Sequence, residues 1–139
     1  MNESLDNILI ELNVIAVQAP NLNIWMYGNI EIIINGERPY INGEMVNTSA
    51  LLQSLESDGE YFIFCCNCGF PECSGREEGI KVFHKDDTVQ WTDSFINKTW
   101  IFDKNLIEKT LTEIDEKVKV FKKFFKEKEI NYVGYGYDL

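Results

Sequence analysis

The chain has 139 residues, 45% hydrophobic and 13% aromatic, which suits one globular domain (1–139) and excludes a disordered or low-complexity chain. Its formal net charge of -10 disfavours direct binding to phosphate backbones and anionic lipid heads, because like charges repel. No run approaches the roughly 20 apolar residues that span a bilayer, and the opening MNESLDNILIELNVIAV lacks a basic leader segment, so a cytoplasmic location is expected.

The acidity is uneven. Residues 1–102 hold fifteen Asp or Glu against five Lys or Arg, whereas residues 103–139 hold eight of each. Such an asymmetry favours a basic protein as partner, and general solubility is the plainer explanation beside it.

In chain order, Leu5, Leu9, Leu12 and Ala16 would share one helical face, so a helix starting after Asn2 or Ser4 is the first expected element, although Ile8 to Val17 is β-branched enough for a strand. Sheet signals follow: Trp25-Met26-Tyr27, then Gly28-Asn29, then Ile30 to Ile34, with Asn35-Gly36 and Asn42-Gly43 as later reversals of a meander. Asn47, Thr48 and Ser49 supply capping oxygens for a short helix through Leu55 that Asp58-Gly59 ends. Tyr61 to Cys66 is an apolar strand. Ile80 to His84 and Thr88 to Trp91 then flank Lys85-Asp86-Asp87 as a hairpin with a three-residue loop, and Trp100-Ile101-Phe102 adds another strand. Asp103 can cap a long amphipathic helix whose Ile107, Leu111, Ile114, Val118, Phe121 and Phe125 recur at spacings of four and three, to about Glu129. The tail Tyr132 to Tyr137 either pairs as a last strand or lies over the surface. The expected fold class is α+β: an antiparallel meander with the C-terminal helix packed on one face.

Between two of these strands lies Cys65-Cys66-Asn67-Cys68-Gly69-Phe70-Pro71-Glu72-Cys73-Ser74-Gly75. In a reducing compartment such cysteines are thiols or metal ligands before they are disulfides. Cys65 points to the strand face opposite Cys66, which leaves Cys66, Cys68 and Cys73 to converge. Tetrahedral zinc needs a fourth ligand. The single histidine, His84, would pair near Tyr61 if 61–66 and 80–84 form a hairpin, roughly 15 Å from Cys66 at strand spacing. The expected cofactor is therefore none, with zinc on a Cys66, Cys68 and Cys73 turn as the alternative. A tight turn with Gly69 and Gly75 at positive φ is the plain structural explanation.

Enzyme chemistry is thinly supplied, with one His and no nucleophile elbow, phosphate loop or H-E-x-x-H motif. A reactive Cys66 or Cys68 would need a positive field, and Arg76 is set against Glu72, Glu77 and Glu78. Asp86 and Asp87 suit a hairpin tip better than acid-base work.

From Tyr61 to Trp91, YFIFCCNCGFPECSGREEGIKVFHKDDTVQW resembles a widespread family of small bacterial proteins with the order strand, CxCGxxxCxG, strand, acidic turn, V-x-W. Cys66, Cys68, Gly69, Cys73, Gly75, Val89 and Trp91 carry the resemblance, which covers about a quarter of the chain; Glu72 and Ser74 depart from the small residues frequent beside the third cysteine. The resemblance implies an acidic partner protein of the kind found as immunity proteins beside bacterial toxins, and it carries over no catalytic residue. The expected function is thus a protein-binding module that neutralises a cationic toxin or similar basic partner through Glu37, Glu44, Glu72, Glu77, Glu78, Asp86 and Asp87, taken as exposed acids on turns and loops. A zinc protein and a homodimeric scaffold joined through the long helix are the alternatives.

Overall fold

The computed structural model describes residues 4–18, 20, 21, 23–66 and 75–134. Its first element, β1 (Ile8–Gln18), is a strand paired antiparallel along its whole length with β2 (Ile24–Ile34), from Ile8 opposite Ile34 to Gln18 opposite Ile24. The helix expected at the N-terminus is thereby corrected. Leu5 and Leu9, which would have formed its apolar face, are 47% and 46% exposed, while Ile8 and Ile10 alternate with Leu9 and Glu11 into the core. β-Branched residues lose rotamer freedom in a helix and pack well on a pleated surface, and an equally long partner strand satisfies one edge of the backbone ladder.

Gly28-Asn29 does not interrupt β2. Gly28 sits mid-strand beneath the Tyr132 ring, where a Cβ would collide with the Tyr132 hydroxyl as it is placed here. The strand ends at Asn35-Gly36, both at positive φ, and Ile34 and Glu37 exchange backbone hydrogen bonds across that reversal.

β3 (Glu44–Val46) leads into α1 (Thr48–Ser54), where the Asn47 side chain accepts a hydrogen bond from the Ala50 N–H at 3.0 Å. The single strand expected over Tyr61–Cys66 is divided. β4 (Gly59–Tyr61) pairs with β6 (Ile80–Lys85), while β5 (Phe64–Cys66) pairs with β3. The break follows from a three-residue turn, Ile63 N–H donating to the Tyr61 carbonyl at 2.9 Å, and from the Asn47 N–H, which takes the Ile63 carbonyl at 2.7 Å. Two sheets thus share one stretch of chain.

β6, β7 (Thr88–Asp93) and β8 (Lys98–Asp103) continue the four-stranded sheet in antiparallel order β4-β6-β7-β8. Lys85 pairs with Thr88, so the β6–β7 loop is Asp86-Asp87 alone, two residues rather than the expected three, with Asp86 at φ 54°. Asp103 caps α2 (Lys104–Glu127) by accepting from Asn105 N–H and Leu106 N–H at 3.0 and 3.3 Å. α2 buries Ile107, Leu111, Ile114 and Val118 against the sheets, as its periodicity predicts, and its 24 residues extend ~36 Å at 1.5 Å each. The fold is α+β, and among the described residues its strands form three sheets instead of one meander; β9 (Tyr132–Gly134) runs parallel to β2 in the order β1-β2-β9. The rest of the Tyr-rich tail, 135–139, lies outside the described residues.

The reversal from α2 into β9 is made by Ile130 N–H donating to the Phe125 carbonyl at 2.8 Å and Glu129 N–H to the Lys126 carbonyl at 3.1 Å, with Glu129 at φ 58°. This is the hydrogen-bond pair of a glycine-type helix stop, occupied here by a residue with a Cβ. Glu129→Gly is expected to raise stability by about 0.5–1 kcal/mol, the left-handed strain it relieves exceeding the added freedom of the unfolded chain; a urea titration checks it.

Tyr132 stacks on Phe125 with centroids 6.2 Å apart, and its hydroxyl is buried without a hydrogen-bond partner among the described residues. Burial raises its pKa above the ordinary 10.0, since the phenolate would lose its hydration. The folded chain therefore holds this proton more tightly than the unfolded chain. That contribution is fully present below pH 10 and is lost as pH rises through the folded pKa. Tyr132→Phe, which removes an unpaired buried hydroxyl, is expected to match or exceed the parent near neutrality and to lose stability less steeply above pH 10, as parallel urea midpoints across that range would show.

The core is aromatic at its centre. Trp91 lies edge-on to Phe102 at 5.0 Å and to Phe64 at 6.3 Å, and Tyr40 stacks on Phe64 at 5.1 Å. Val46, Ile80, Val82 and Val89 close around them from three strands.

Candidate partner-binding face

The strand alternation of β6 sorts its side chains cleanly. Ile80 and Val82 enter the core, while Lys81, Phe83 and Lys85 face solvent, Phe83 at 52% exposure. Register places Phe83 opposite Gln90, which stands opposite Ile101, so a partly apolar strip crosses the outer face of three strands. Glu77 and Glu78 are exposed before one end of β6, and Asp86 and Asp87 are exposed beyond the other. Six strand residues separate the two acidic pairs by about 20 Å.

Four of the acids singled out in the sequence therefore bracket one hairpin, with an exposed phenylalanine between them. Glu78 also accepts from the Ser94 hydroxyl at 2.9 Å and lies 3.7 Å from Lys81. Phe95, 41% exposed, adds a second apolar surface on the β7–β8 turn beside the Glu78 end. Glu37 is exposed but belongs to a different place, the reversal after β2. Glu72 lies outside the described residues.

Glu44 corrects the expectation of an exposed loop acid. It lies in β3, its side chain is buried, and it holds Arg76 through Nε at 2.5 Å and Nη2 at 3.3 Å. Arg76 Nη1 reaches both oxygens of Asp93 at 2.9 and 3.0 Å. Neither carboxylate depends on the guanidinium alone: Glu44 also accepts from Ile41 N–H at 3.1 Å and Asp93 from Phe95 N–H at 3.0 Å. Burial alone would lower the Arg76 pKa, but the hydrogen bonds and charges of the two carboxylates outweigh it and leave that pKa raised. The node thus favours the charged form of Arg76. Its planar fork, five donors in fixed geometry, suits two carboxylates on different strands in a way a lysine could not.

This node was missed by charge counting, which set Arg76 against its neighbours Glu72, Glu77 and Glu78. One signal was available in the pattern: Asp93 continues the inward alternation Val89, Trp91, Asp93, so an acid was due beneath the sheet and required a cation. Arg76 also packs its guanidinium over Phe95 at 4.8 Å and Phe64 at 5.5 Å, tying Gly75-Arg76 to the sheet just after the cysteine-rich segment. Gly75 takes φ 92°, as expected.

Of the cysteines proposed as metal ligands, Cys66 ends β5 opposite Glu44, and Cys68 and Cys73 lie outside the described residues. Among the described residues no three His, Cys, Asp or Glu side chains gather as a metal set. The hairpin used to place His84 near Tyr61 is corrected: Tyr61 pairs with Ile80, and His84 lies past that pairing opposite Val89. Its Nε2 is 2.7 Å from the Ser54 carbonyl, which makes Nε2 the protonated nitrogen and ties β6 to the end of α1.

No protein-family model matches the chain, and no curated protein or solved structure does so either. Among the described residues no helix is long and apolar enough to cross a membrane.

Proposed function

We propose that this chain is a small acidic binding protein of the immunity or inhibitor type, which occupies and neutralises a cationic partner such as a toxin domain without catalysing a reaction. The observation that carries the reading is the charge left after the buried node is set aside. Glu44 and Asp93 neutralise Arg76 internally, so thirteen acids face four bases in the remainder of residues 1–102. Among the described residues, only two of those acids hold an ion pair, Glu31 with Arg38 and Glu78 with Lys81. Acids at both ends of β6 would steer a basic protein to the hairpin face, and Phe83 and Phe95 would supply the apolar contact that charge alone does not.

The test is affinity capture from the native host at low and at moderate salt, followed by association kinetics on the captured partner. A stoichiometric basic protein is expected, binding more slowly as salt rises. Glu77→Lys with Glu78→Lys is expected to slow association about tenfold at low salt and to leave the dissociation rate nearly unchanged. A captured partner that is acidic, or that binds at a rate indifferent to salt and to these substitutions, would sink the proposal.

A further inference from the structure

A groove of about 530 Å³ opens between α1 and α2, away from the hairpin face. Its floor is apolar, made by Ile30 of β2, Leu52 and Leu55 after the first turn of α1, and Leu111 and Ile114 of α2. Three carboxylates line it: Glu56, Glu108 and Asp115. Glu108 and Asp115 have exposed intrahelical partners, Lys104 at 3.8 Å and Lys119 at 3.1 Å, pairs that water and salt loosen readily. Glu56 has no ion-pair partner among the described residues.

Thr48 distinguishes this groove from an ordinary seam between helices. Thr48 lines it, is 2% exposed, and its hydroxyl oxygen has no hydrogen-bond partner among the described residues. A buried hydroxyl left unpaired is costly, and satisfied hydroxyls are the rule. A ligand that donates a hydrogen bond at this point while placing carbon on the floor would remove that cost. A cationic head also meets three carboxylates and no cation that lines the groove itself. The volume falls in the range of small-molecule sites.

We infer that the groove binds a small organic cation, an ammonium group on an apolar stem, with Thr48 and Glu56 taking the ammonium and Leu52, Leu55 and Leu111 the stem. An organic anion is disfavoured by the same carboxylates. This site is separate from the hairpin face, so it stands or falls independently of the partner-binding reading.

Titration of the intact protein with hexylammonium, followed by amide chemical shifts, tests the inference against hexanol and hexanoate at equal concentration. Hexylammonium is expected to saturate, to shift Leu52, Leu55 and Leu111 amides, and to bind about tenfold more tightly than hexanol, with hexanoate weakest. Glu56→Gln is expected to weaken it about fivefold. Thr48→Val removes the hydroxyl with little change of shape; it should weaken the ammonium more than hexanol, whose single O–H makes the weaker neutral bond, while leaving thermal stability intact or improved. Equal affinities for hexylammonium and hexanol would mean an unspecific apolar groove, and absence of saturable shifts at these residues would mean no site. Either result overturns the inference.

Discussion

Arg76→Ala lowers the stability of the folded chain by about 3–5 kcal/mol, the cost of leaving two buried carboxylates without their cation. With total stabilities of about 5–15 kcal/mol usual for a domain, that loss is enough to unfold much of the population at physiological temperature. Two features make the effect large here. Arg76 is 1% exposed, so water cannot replace it at Glu44 or Asp93, and each carboxylate is gripped by a geometry of two short contacts that a smaller cation cannot reproduce. Arg76→Lys is expected to fall between parent and Ala. The triple variant Arg76→Met, Glu44→Gln and Asp93→Asn should recover more than half of the loss, because no buried charge remains and the amide oxygens can still accept from Ile41 and Phe95 N–H. Urea unfolding followed by tryptophan fluorescence reads all three. A loss below about 1 kcal/mol for Arg76→Ala would mean that the node is hydrated in solution and behaves as a surface pair.

The position of Arg76 gives this prediction a functional side. It follows directly on the cysteine-rich segment and precedes Glu77 and Glu78, so the guanidinium fastens that end of the hairpin face to β3 and β7 at once. Freed of the anchor, Glu77 and Glu78 lose their fixed relation to Phe95. Partner association should slow even in solutions where Arg76→Ala remains folded.

Features that depend on short-range pattern were legible in the sequence. The stripe Ile107, Leu111, Ile114 and Val118, the Asp103 cap, the Asn47 cap and the β6–β7 hairpin all follow from residues within a few positions of one another. The N-terminal segment was ambiguous because both periods fit it locally, and only the eleven-residue partner β2 chose the strand. The division of Tyr61–Cys66 between two sheets needed β3 on one side and β6 on the other, pairings of chain segments whose separation no local pattern encodes. Glu44 shows the same limit for the site. An acid next to Asn42-Gly43 looks like turn chemistry until Arg76, 32 positions later, is brought onto it. Among the candidate acids, those on turns adjoining β6 were placed rightly as exposed, since hairpin ends are open to solvent whatever the remainder of the fold does.

Trp91→Ala is expected to cost about 3–5 kcal/mol, comparable to loss of the Arg76 anchor but for a different reason. Trp91 is fully buried, stands opposite Val82 on one side and Trp100 on the other, and meets Phe64 and Phe102 edge-on, so its removal opens a cavity that stiff aromatic neighbours from β5 and β8 cannot collapse to fill. Trp91→Phe should cost much less than Ala. It keeps most of the ring volume and removes an indole N–H that is buried without a partner among the described residues, so the smaller ring's lost contacts are partly offset. The functional consequence separates the core from the face. Trp91 points inward while its neighbours Gln90 and Thr92 lie on the other side of β7, so Trp91→Ala should lower the fraction of chain able to bind a partner without altering the association rate per folded molecule. Glu77→Lys with Glu78→Lys should do the reverse, slowing association with little change in urea midpoint. Stopped-flow association corrected for the folded fraction distinguishes the two. If Trp91→Ala slowed association per folded molecule as strongly as the charge reversals do, the hairpin surface would be set by the packing beneath it and not by the acids at its ends.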